Sequence, residues 1–137
     1  MEELKRLVKY YETDKMGVVH HSNYIRWFEE ARVEFMRGIG ISYKVMEDEG
    51  IQVPVVSVSC KYRSPATFDD VVIVKVFVKK FNGIFIELAY EVIDEETGII
   101  RVTGESSHCF VDASTFKPIN LRRERTDLYE KFLQATE

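Results

Sequence analysis

The spacing of the apolar residues changes once along the chain, and this change constrains the fold more than any other feature. Across residues 23–37 the apolar side chains recur at helical spacing, as Tyr24, Trp27, Phe28, Ala31 and Phe35. After Gly50 the period becomes two, which is typical of strands with one buried face. The pattern therefore predicts one long helix followed by a sheet.

The predicted helix has recognisable ends. Ser22 or Asn23 can serve as its N-cap, and Gly38 and Gly40 can end it. In helical form, residues 23–37 would span about 22 Å. A shorter helical turn is predicted at residues 42–49.

Strands and one more helix complete the prediction. The strands are expected at residues 4–11, 52–63, 71–81, 84–93 and 99–111, with a short extension at 118–121. Asn82 and Gly83 predict a tight hairpin turn, because both residue types tolerate positive φ. A C-terminal amphipathic helix is predicted at about residues 122–133.

This order of elements favours the α+β class, with a long antiparallel sheet that covers one helix. The 137 residues are enough for one domain, which would span residues 1–137. Such a sheet has open edges, and pairing of edges between subunits would protect them. We therefore expect at least a dimer.

Composition argues against several classes of protein. With 19 basic and 23 acidic residues the net charge is −4, which argues against a nucleic-acid partner. No stretch approaches the roughly 20 apolar residues of a membrane span, and the first residues lack the apolar core of a signal peptide. Cys60 and Cys109 do not have the spacing of a metal-binding pair. These observations predict a reduced, cytoplasmic protein.

Several catalytic arrangements lack support in the sequence. The run from Gly104 to His108 lacks the second glycine that a nucleophile elbow requires. His108 and Cys109 are neighbours on a predicted strand, so they should point to opposite faces. His20 and His21 are adjacent rather than spaced like metal ligands, and no metal site is predicted.

The segment from Tyr11 to Tyr24 is the remaining candidate for chemistry. It places Asp14, a glycine turn and two histidines directly before the predicted helix. The first N–H groups of a helix lack internal partners and lie at the positive end of its dipole, where an oxyanion would be stabilised. A nearby carboxylate could act as general base or nucleophile. A purely structural turn, with His21 packed at the helix start, is the alternative interpretation.

The same segment resembles a known active-site motif. Residues 13–24 match the pattern Asp-Thr-Asp-x-x-Gly-Val-Val-aromatic-His-x-x-Tyr at nearly every fixed position. Residues 25–32, residues 62–66 and Asp70 also resemble the family that carries this motif. Over residues 8–111 the chain is therefore similar to the hotdog-fold acyl-CoA thioesterases of the 4-hydroxybenzoyl-CoA thioesterase and YbgC type.

The resemblance implies a hotdog fold, in which a long curved antiparallel sheet wraps around one central helix. It implies hydrolysis of an acyl-CoA to a free acid and CoA, with coenzyme A as part of the substrate and no separate cofactor. It also implies a homodimer or homotetramer, since the family builds its sites between two subunits.

The resemblance also implies roles for individual residues. Asp14 takes the position of the catalytic aspartate, either as a nucleophile that forms an anhydride or as a base that activates water. The N–H near His21 would polarise the thioester carbonyl, and Gly17 would permit the turn that brings Asp14 near the helix. Tyr24 is expected to pack beside the substrate rather than to react, and the acyl group is expected to lie near Trp27 or Phe28.

Three features depart from the family pattern. Glu12 replaces the first aspartate of the motif and is expected to face away from the chemistry. His20 replaces an aromatic residue, which leaves the acyl preference open. The basic cluster that some relatives use for the coenzyme A phosphates is not evident, and the remaining basic candidates for substrate binding are Lys61, Arg63, Lys79 and Lys80.

Three alternatives are compatible with the same fold. A hotdog dehydratase is the least favoured, because those enzymes resemble a different pattern, with a catalytic histidine in another segment. A non-catalytic hotdog module could bind an acyl-CoA or an acyl-carrier protein without turnover. A thioesterase could also use a glutamate midway along the helix, such as Glu29 or Glu30. The presence of Asp14 within the full motif favours the aspartate-dependent thioesterase.

Overall fold

The computed structural model describes residues 3–136 as a mixed α+β fold. Its strands are β1 (Glu3–Leu7), β2 (Ile51–Gln52), β3 (Val55–Tyr62), β4 (Val71–Phe81), β5 (Phe85–Asp94), β6 (Ile100–Cys109) and β7 (Val111–Asp112). Its helices are α1 (His21–Gly38), α2 (Tyr43–Asp48), α3 (Leu121–Glu124) and α4 (Thr126–Ala135). Within residues 3–136, no helix is both long enough and apolar enough to cross a membrane.

Five strands form one antiparallel sheet in the order β1-β4-β5-β6-β3, and β2 pairs separately with β7. The strands β1 and β3 are therefore the two edges of the main sheet. Alternate residues of β4, β5 and β6 are buried, and so is one face of α1. The sheet thus covers α1, which confirms the predicted α+β class and the hotdog arrangement.

The contact between α1 and the sheet is tight at its centre. The ring of Phe28 stacks on that of Tyr90, with 4.2 Å between the ring centroids. A Cβ atom added to Gly104 would lie 2.5 Å from the Phe28 ring and 2.8 Å from the carbonyl oxygen of Ser59. Such distances are shorter than van der Waals contact, so this position requires glycine.

The C-terminal helices pack onto segments that are distant in sequence. The N–H of Leu121 donates to the carbonyl of Gly83 at 2.9 Å. Phe132 is buried against Phe81 and Phe110, with 5.5 and 5.3 Å between the ring centroids. The helices therefore close one end of the core between α1 and the sheet.

Several predicted strands are divided or shortened. The predicted strand at residues 52–63 is divided into β2 and β3, because Pro54 has no N–H to donate to a neighbouring strand. The last predicted strand is likewise divided into β6 and β7. The first strand is shorter than predicted, and a 3₁₀ turn at Tyr10–Glu12 follows it. The predicted extension at residues 118–121 contributes a single bridge to β7.

The C-terminal helix and the central hairpin also differ from their predictions. The helix predicted at 122–133 is divided into α3 and α4 at Arg125, whose φ of −144° and ψ of 74° are not helical. The hairpin between β4 and β5 is at the predicted place, but of its two residues only Gly83 has a positive φ, of 90°. The Oδ1 atom of Asn82 instead accepts hydrogen bonds from two N–H groups that follow Gly83.

A chain of hydrogen bonds runs between α1 and the sheet. Arg32 donates to the hydroxyl of Tyr90 at 3.2 Å, and the hydroxyls of Tyr90 and Ser106 are 2.6 Å apart. The Oγ atom of Ser106 lies 2.7 Å from Nε2 of His108. Burial, together with the positive charge of Arg32, lowers the pKa of His108 to about 4. His108 is therefore neutral at pH 7 and can accept the hydrogen bond from Ser106.

We expect this buried histidine to destabilise the protein in mildly acidic solution. The pKa of His108 is about 4 in the folded protein and 6.5 for an unperturbed histidine, so the unfolded chain binds more protons between these values. The free energy of unfolding should fall by about 2 kcal/mol between pH 7 and pH 5. Urea unfolding of wild type and His108→Asn at both pH values tests this, and an equal pH dependence in the two proteins would contradict it.

Candidate active site

A short loop between the 3₁₀ turn and α1 presents Asp14. The N–H of Asp14 donates to the carbonyl of Val18 at 2.9 Å, and the N–H of Gly17 donates to the carbonyl of Asp14 at 3.0 Å. Gly17 has a φ of 78°, which allows the chain to reverse at low cost. The carboxylate of Asp14 accepts a hydrogen bond from the N–H of Met16 at 2.8 Å, which orients it.

The helix α1 begins two residues earlier than predicted, and His20 rather than Ser22 or Asn23 is its N-cap. The Nδ1 atom of His20 accepts a hydrogen bond from the N–H of Ser22 at 3.2 Å. His21 is the first helical residue, and among residues 3–136 its N–H has no hydrogen-bond acceptor. An unpartnered N–H at the positive end of a helix dipole is suited to bind an anion.

Asp14 and His21 line the same cleft, which has a volume of about 280 Å³. Two other residues predicted to bind substrate, Tyr24 and Arg63, also line it. The rings of His21 and Tyr62 are 6.3 Å apart between centroids. The wall is completed by Met16, Val18, Val19, Ser64 and Pro65. The structure therefore brings together residues that are up to 51 positions apart, from Asp14 to Pro65.

Tyr24 is part of the wall of this cleft. Its hydroxyl accepts a hydrogen bond from a backbone N–H at 3.4 Å, and burial raises its pKa. Its ring lies 5.7 Å from that of Tyr62, measured between centroids. The side chain is thus held in place in its neutral form, which fits a role in packing beside a substrate.

Trp27 and Gly17 do not line the cleft. Trp27 is 0% exposed, and its indole N–H donates to the carboxylate of Glu12 at 2.8 Å. A channel for the acyl group beside Trp27 is therefore wrong, because this side chain belongs to the core. Gly17 belongs to the loop and contributes its backbone conformation.

The basic candidates are divided between the cleft and the opposite face of the sheet. Arg63 lines the cleft. Lys61 pairs with Thr103 on the face of the sheet that points away from α1. Lys79 and Lys80 lie on that outer face too, and Lys79 forms an ion pair with Glu105 at 2.7 Å. Of the four, Arg63 is the one placed to contact a ligand beside Asp14.

Glu12 is the residue whose importance the sequence did not reveal. It does not line the cleft, in agreement with the expectation that it faces away, but it is only 3% exposed. Burial alone would raise its pKa, but hydrogen bonds from Arg6, the Lys9 N–H and Trp27 lower the pKa below its usual value. Glu12 is therefore a buried, ionised carboxylate two residues before Asp14.

A second cavity, of about 360 Å³, lies beside the other half of α1. Its lining is mainly apolar and includes Glu29 from the helix. Glu30 forms an ion pair with Arg6 at 3.1 Å. Neither of the alternative glutamates therefore lines the cleft that holds Asp14. Within residues 3–136, no three His, Cys, Asp or Glu side chains are close enough to hold a metal ion.

Comparisons with known proteins agree on one family. Residues 8–135 match the model of the Thioesterase-like superfamily. The solved structure of a DHNA-CoA thioesterase from Staphylococcus aureus has 35% identity and a TM-score of 0.92, and the match covers 96% of this chain and 88% of that one. The similarity therefore extends over nearly the whole fold.

Two relatives found by sequence point the same way. YneP of Bacillus subtilis (strain 168) is named as a proposed acyl-CoA thioesterase. It is 32% identical to this chain, and the match covers 93% of this chain and 92% of YneP. The acyl-CoA thioester hydrolase YbgC of Escherichia coli O6:H1 is 26% identical over 81% of this chain and 82% of its own length. Each match includes far more of the chain than the loop and the helix start.

Proposed function

Because the chain belongs to the thioesterase-like superfamily, we propose that it hydrolyses the thioester bond of an acyl-CoA in the cleft formed by Asp14 and His21. One observation supports this assignment above the others. The cleft is lined both by Asp14, which has a carboxylate, and by His21, whose backbone N–H at the start of α1 is unpartnered within residues 3–136. A base or nucleophile and an oxyanion donor are the groups that promote thioester hydrolysis.

In the proposed reaction the thioester carbonyl binds beside the start of α1. The N–H of His21 and the helix dipole stabilise the negative charge that develops on the carbonyl oxygen. The carboxylate of Asp14 then follows one of two routes. It attacks the carbonyl carbon and forms an anhydride that water opens, or it takes a proton from an attacking water. In both routes the C–S bond breaks, and the sulfur of CoA takes up a proton to leave as a thiol. Water supplies the hydroxyl group of the free acid.

One strip of the α1 surface, with the exposed apolar side chain of Ile25 at its middle, supports a path for the acyl group. His21, Ile25 and Glu29 are spaced four residues apart and so lie on one face of α1. Ile25 is 40% exposed and Val58, on the helix-facing side of β3, is 39% exposed. The strip runs from the cleft at His21 to the second cavity at Glu29, over about 12 Å of helix. We propose that the acyl group lies along it, and Arg63 is our candidate for the anionic part of CoA.

The direct test is thiol release from a panel of short, long and aromatic acyl-CoAs. We expect turnover of at least one of them by the purified protein. Binding of acyl-CoA without any turnover, by protein that is folded by circular dichroism, would contradict the proposal. That result would favour the non-catalytic binding module.

We also propose that the protein is a homodimer in which β3 pairs with β3 of a second copy. This strand is an edge of the sheet, and Val56 and Val58 on it are 60% and 39% exposed. Open apolar edges promote pairing with another chain. Tyr62, at the end of the same strand, lines the cleft, so pairing would place the second copy beside the site.

Light scattering after size exclusion tests the dimer. We expect twice the mass of one chain for wild type, and one chain mass for the double variant Val56→Lys, Val58→Lys, because lysine opposes edge pairing. The matched control is Val45→Lys, which changes an equally exposed valine on α2. A wild type with the mass of one chain would contradict the proposal.

A further inference from the structure

We propose that Glu12 is a positioning residue, which holds Asp14 and the N-terminus of α1 at the separation that the reaction needs. The inference rests on the proposed hydrolysis at Asp14 and His21. Glu12 touches neither the cleft nor a substrate, so its effect is transmitted through the backbone. It contacts Arg6 and Lys9, which precede the loop, and the start of α1, which follows it.

The side chain of Glu12 is anchored to the body of the protein. One carboxylate oxygen accepts hydrogen bonds from Arg6 at 2.7 Å and from the Lys9 N–H at 2.9 Å. The other accepts from Arg6 at 2.8 Å and from the indole N–H of Trp27 at 2.8 Å. Trp27 is fully buried in α1, so the carboxylate links the start of the loop to the middle of the helix.

The backbone of Glu12 is tied to the start of the same helix. Its carbonyl accepts hydrogen bonds from the His20 N–H and from the Asn23 side-chain amide, both at 2.9 Å. His20 directly precedes His21, and Glu12 is two residues from Asp14. A single residue therefore connects the segment that carries Asp14 with the start of α1, where His21 lies.

The negative charge of Glu12 is required by these contacts. Three nitrogen atoms donate the four hydrogen bonds to the carboxylate, and two of these bonds come from Nη1 of the cation Arg6. A glutamine has one acceptor oxygen, and its NH₂ group would face an N–H donor at the other position. Glu12→Gln must therefore change the hydrogen bonds to Arg6, the Lys9 N–H or Trp27, and we expect the loop to shift as a result.

The consequence should be kinetic. A displacement of reacting groups by about 1 Å can lower a rate about 10²-fold. We expect Glu12→Gln to lower kcat roughly 10- to 100-fold while KM changes by less than about two-fold, because Tyr24 and residues 62–65 of the cleft wall lie outside the loop. Glu12→Asp should recover part of kcat, since aspartate restores the charge.

Glu30→Gln is the matched control. It removes the second carboxylate that contacts Arg6, at 3.1 Å, but Glu30 has no hydrogen bond to the loop or to the start of α1 within residues 3–136. Its kcat should stay at the wild-type value. An equal loss of kcat in Glu30→Gln and Glu12→Gln would overturn the proposal, because the charge balance of Arg6 would then be the cause.

A second variant and a measurement without substrate complete the test. Asn23→Ala removes only the side-chain bond to the Glu12 carbonyl and should lower kcat by a smaller factor, so it decides the question if Glu12→Gln fails to fold. Amide hydrogen exchange should become faster at residues 12–23 of Glu12→Gln and stay unchanged in β5 and β6. If wild type hydrolyses no thioester, the proposed function fails, and hydrogen exchange still tests the positioning role. If folded Glu12→Gln has the kcat and the amide hydrogen exchange rates of wild type, the positioning role of Glu12 is refuted.

Discussion

Replacing Asp14 by asparagine should lower kcat for thioester hydrolysis by roughly 10²- to 10⁴-fold, the range expected for loss of a general base. Asparagine has the same size and keeps an oxygen that can accept the hydrogen bond from the Met16 N–H. The loop should therefore retain its shape, while the side chain can neither attack the carbonyl nor take a proton from water. The fall in kcat would then report chemistry rather than folding.

The measurement is kcat by thiol release, with thermal unfolding recorded on the same samples. Asp112→Asn is the matched control, because Asp112 also accepts a hydrogen bond from the N–H two residues later, at 2.8 Å, but lies outside the cleft. Its kcat should equal that of wild type. Full activity of Asp14→Asn would show that another group in the cleft carries out the reaction.

Gly104→Ala should lower the free energy of unfolding by about 3 kcal/mol, the upper part of the range for overpacked cores. The added Cβ would lie 2.5 Å from the Phe28 ring and 2.8 Å from the Ser59 carbonyl oxygen. The ring can turn only against Tyr90, on which it is stacked, and the carbonyl belongs to the neighbouring strand β3. Relief therefore requires a shift of α1 or of the sheet.

Urea unfolding of wild type and Gly104→Ala measures the difference in their free energies of unfolding directly. The control is Ala89→Ser, which adds one atom on the adjacent strand β5, at a position opposite Glu105 on the outer face. We expect it to unfold with wild-type stability. A Gly104→Ala variant as stable as wild type would show that Phe28 has a second position available at little cost.

The elements with the strongest periodicity could be predicted well from the sequence. The strand β4 has both predicted ends, since its run rich in valine and phenylalanine extends from Val71 to Phe81 and a glycine turn follows, although a bulge after Val78 interrupts the alternation. The start of α1 was placed two residues late, because His20 caps the helix through its imidazole and histidine is not among the preferred N-cap residues. Local hydrogen bonds of this kind do not appear in a hydrophobic pattern.

The candidate site was predicted in part. The motif identified three residues that meet in the cleft, Asp14, His21 and Tyr24, and Arg63 was one of four separate basic candidates. Trp27 was misplaced because a helical apolar pattern shows which face is buried but not whether a core or a ligand covers it. The anchoring role of Glu12 depends on long-range contacts with side chains on β1 and α1, and no local spacing could reveal these.

The packing of Phe132 against Phe81 and Phe110 has a consequence for how the chain is made. A ribosome adds about 5–20 residues per second, so the 51 positions from Phe81 to Phe132 take roughly 3–10 s to synthesise. Until then the rings of Phe81 and Phe110 lack the aromatic partner that later covers them. The β4–β5 hairpin therefore cannot complete its burial on its own, and this end of the core closes only after α4 has been made.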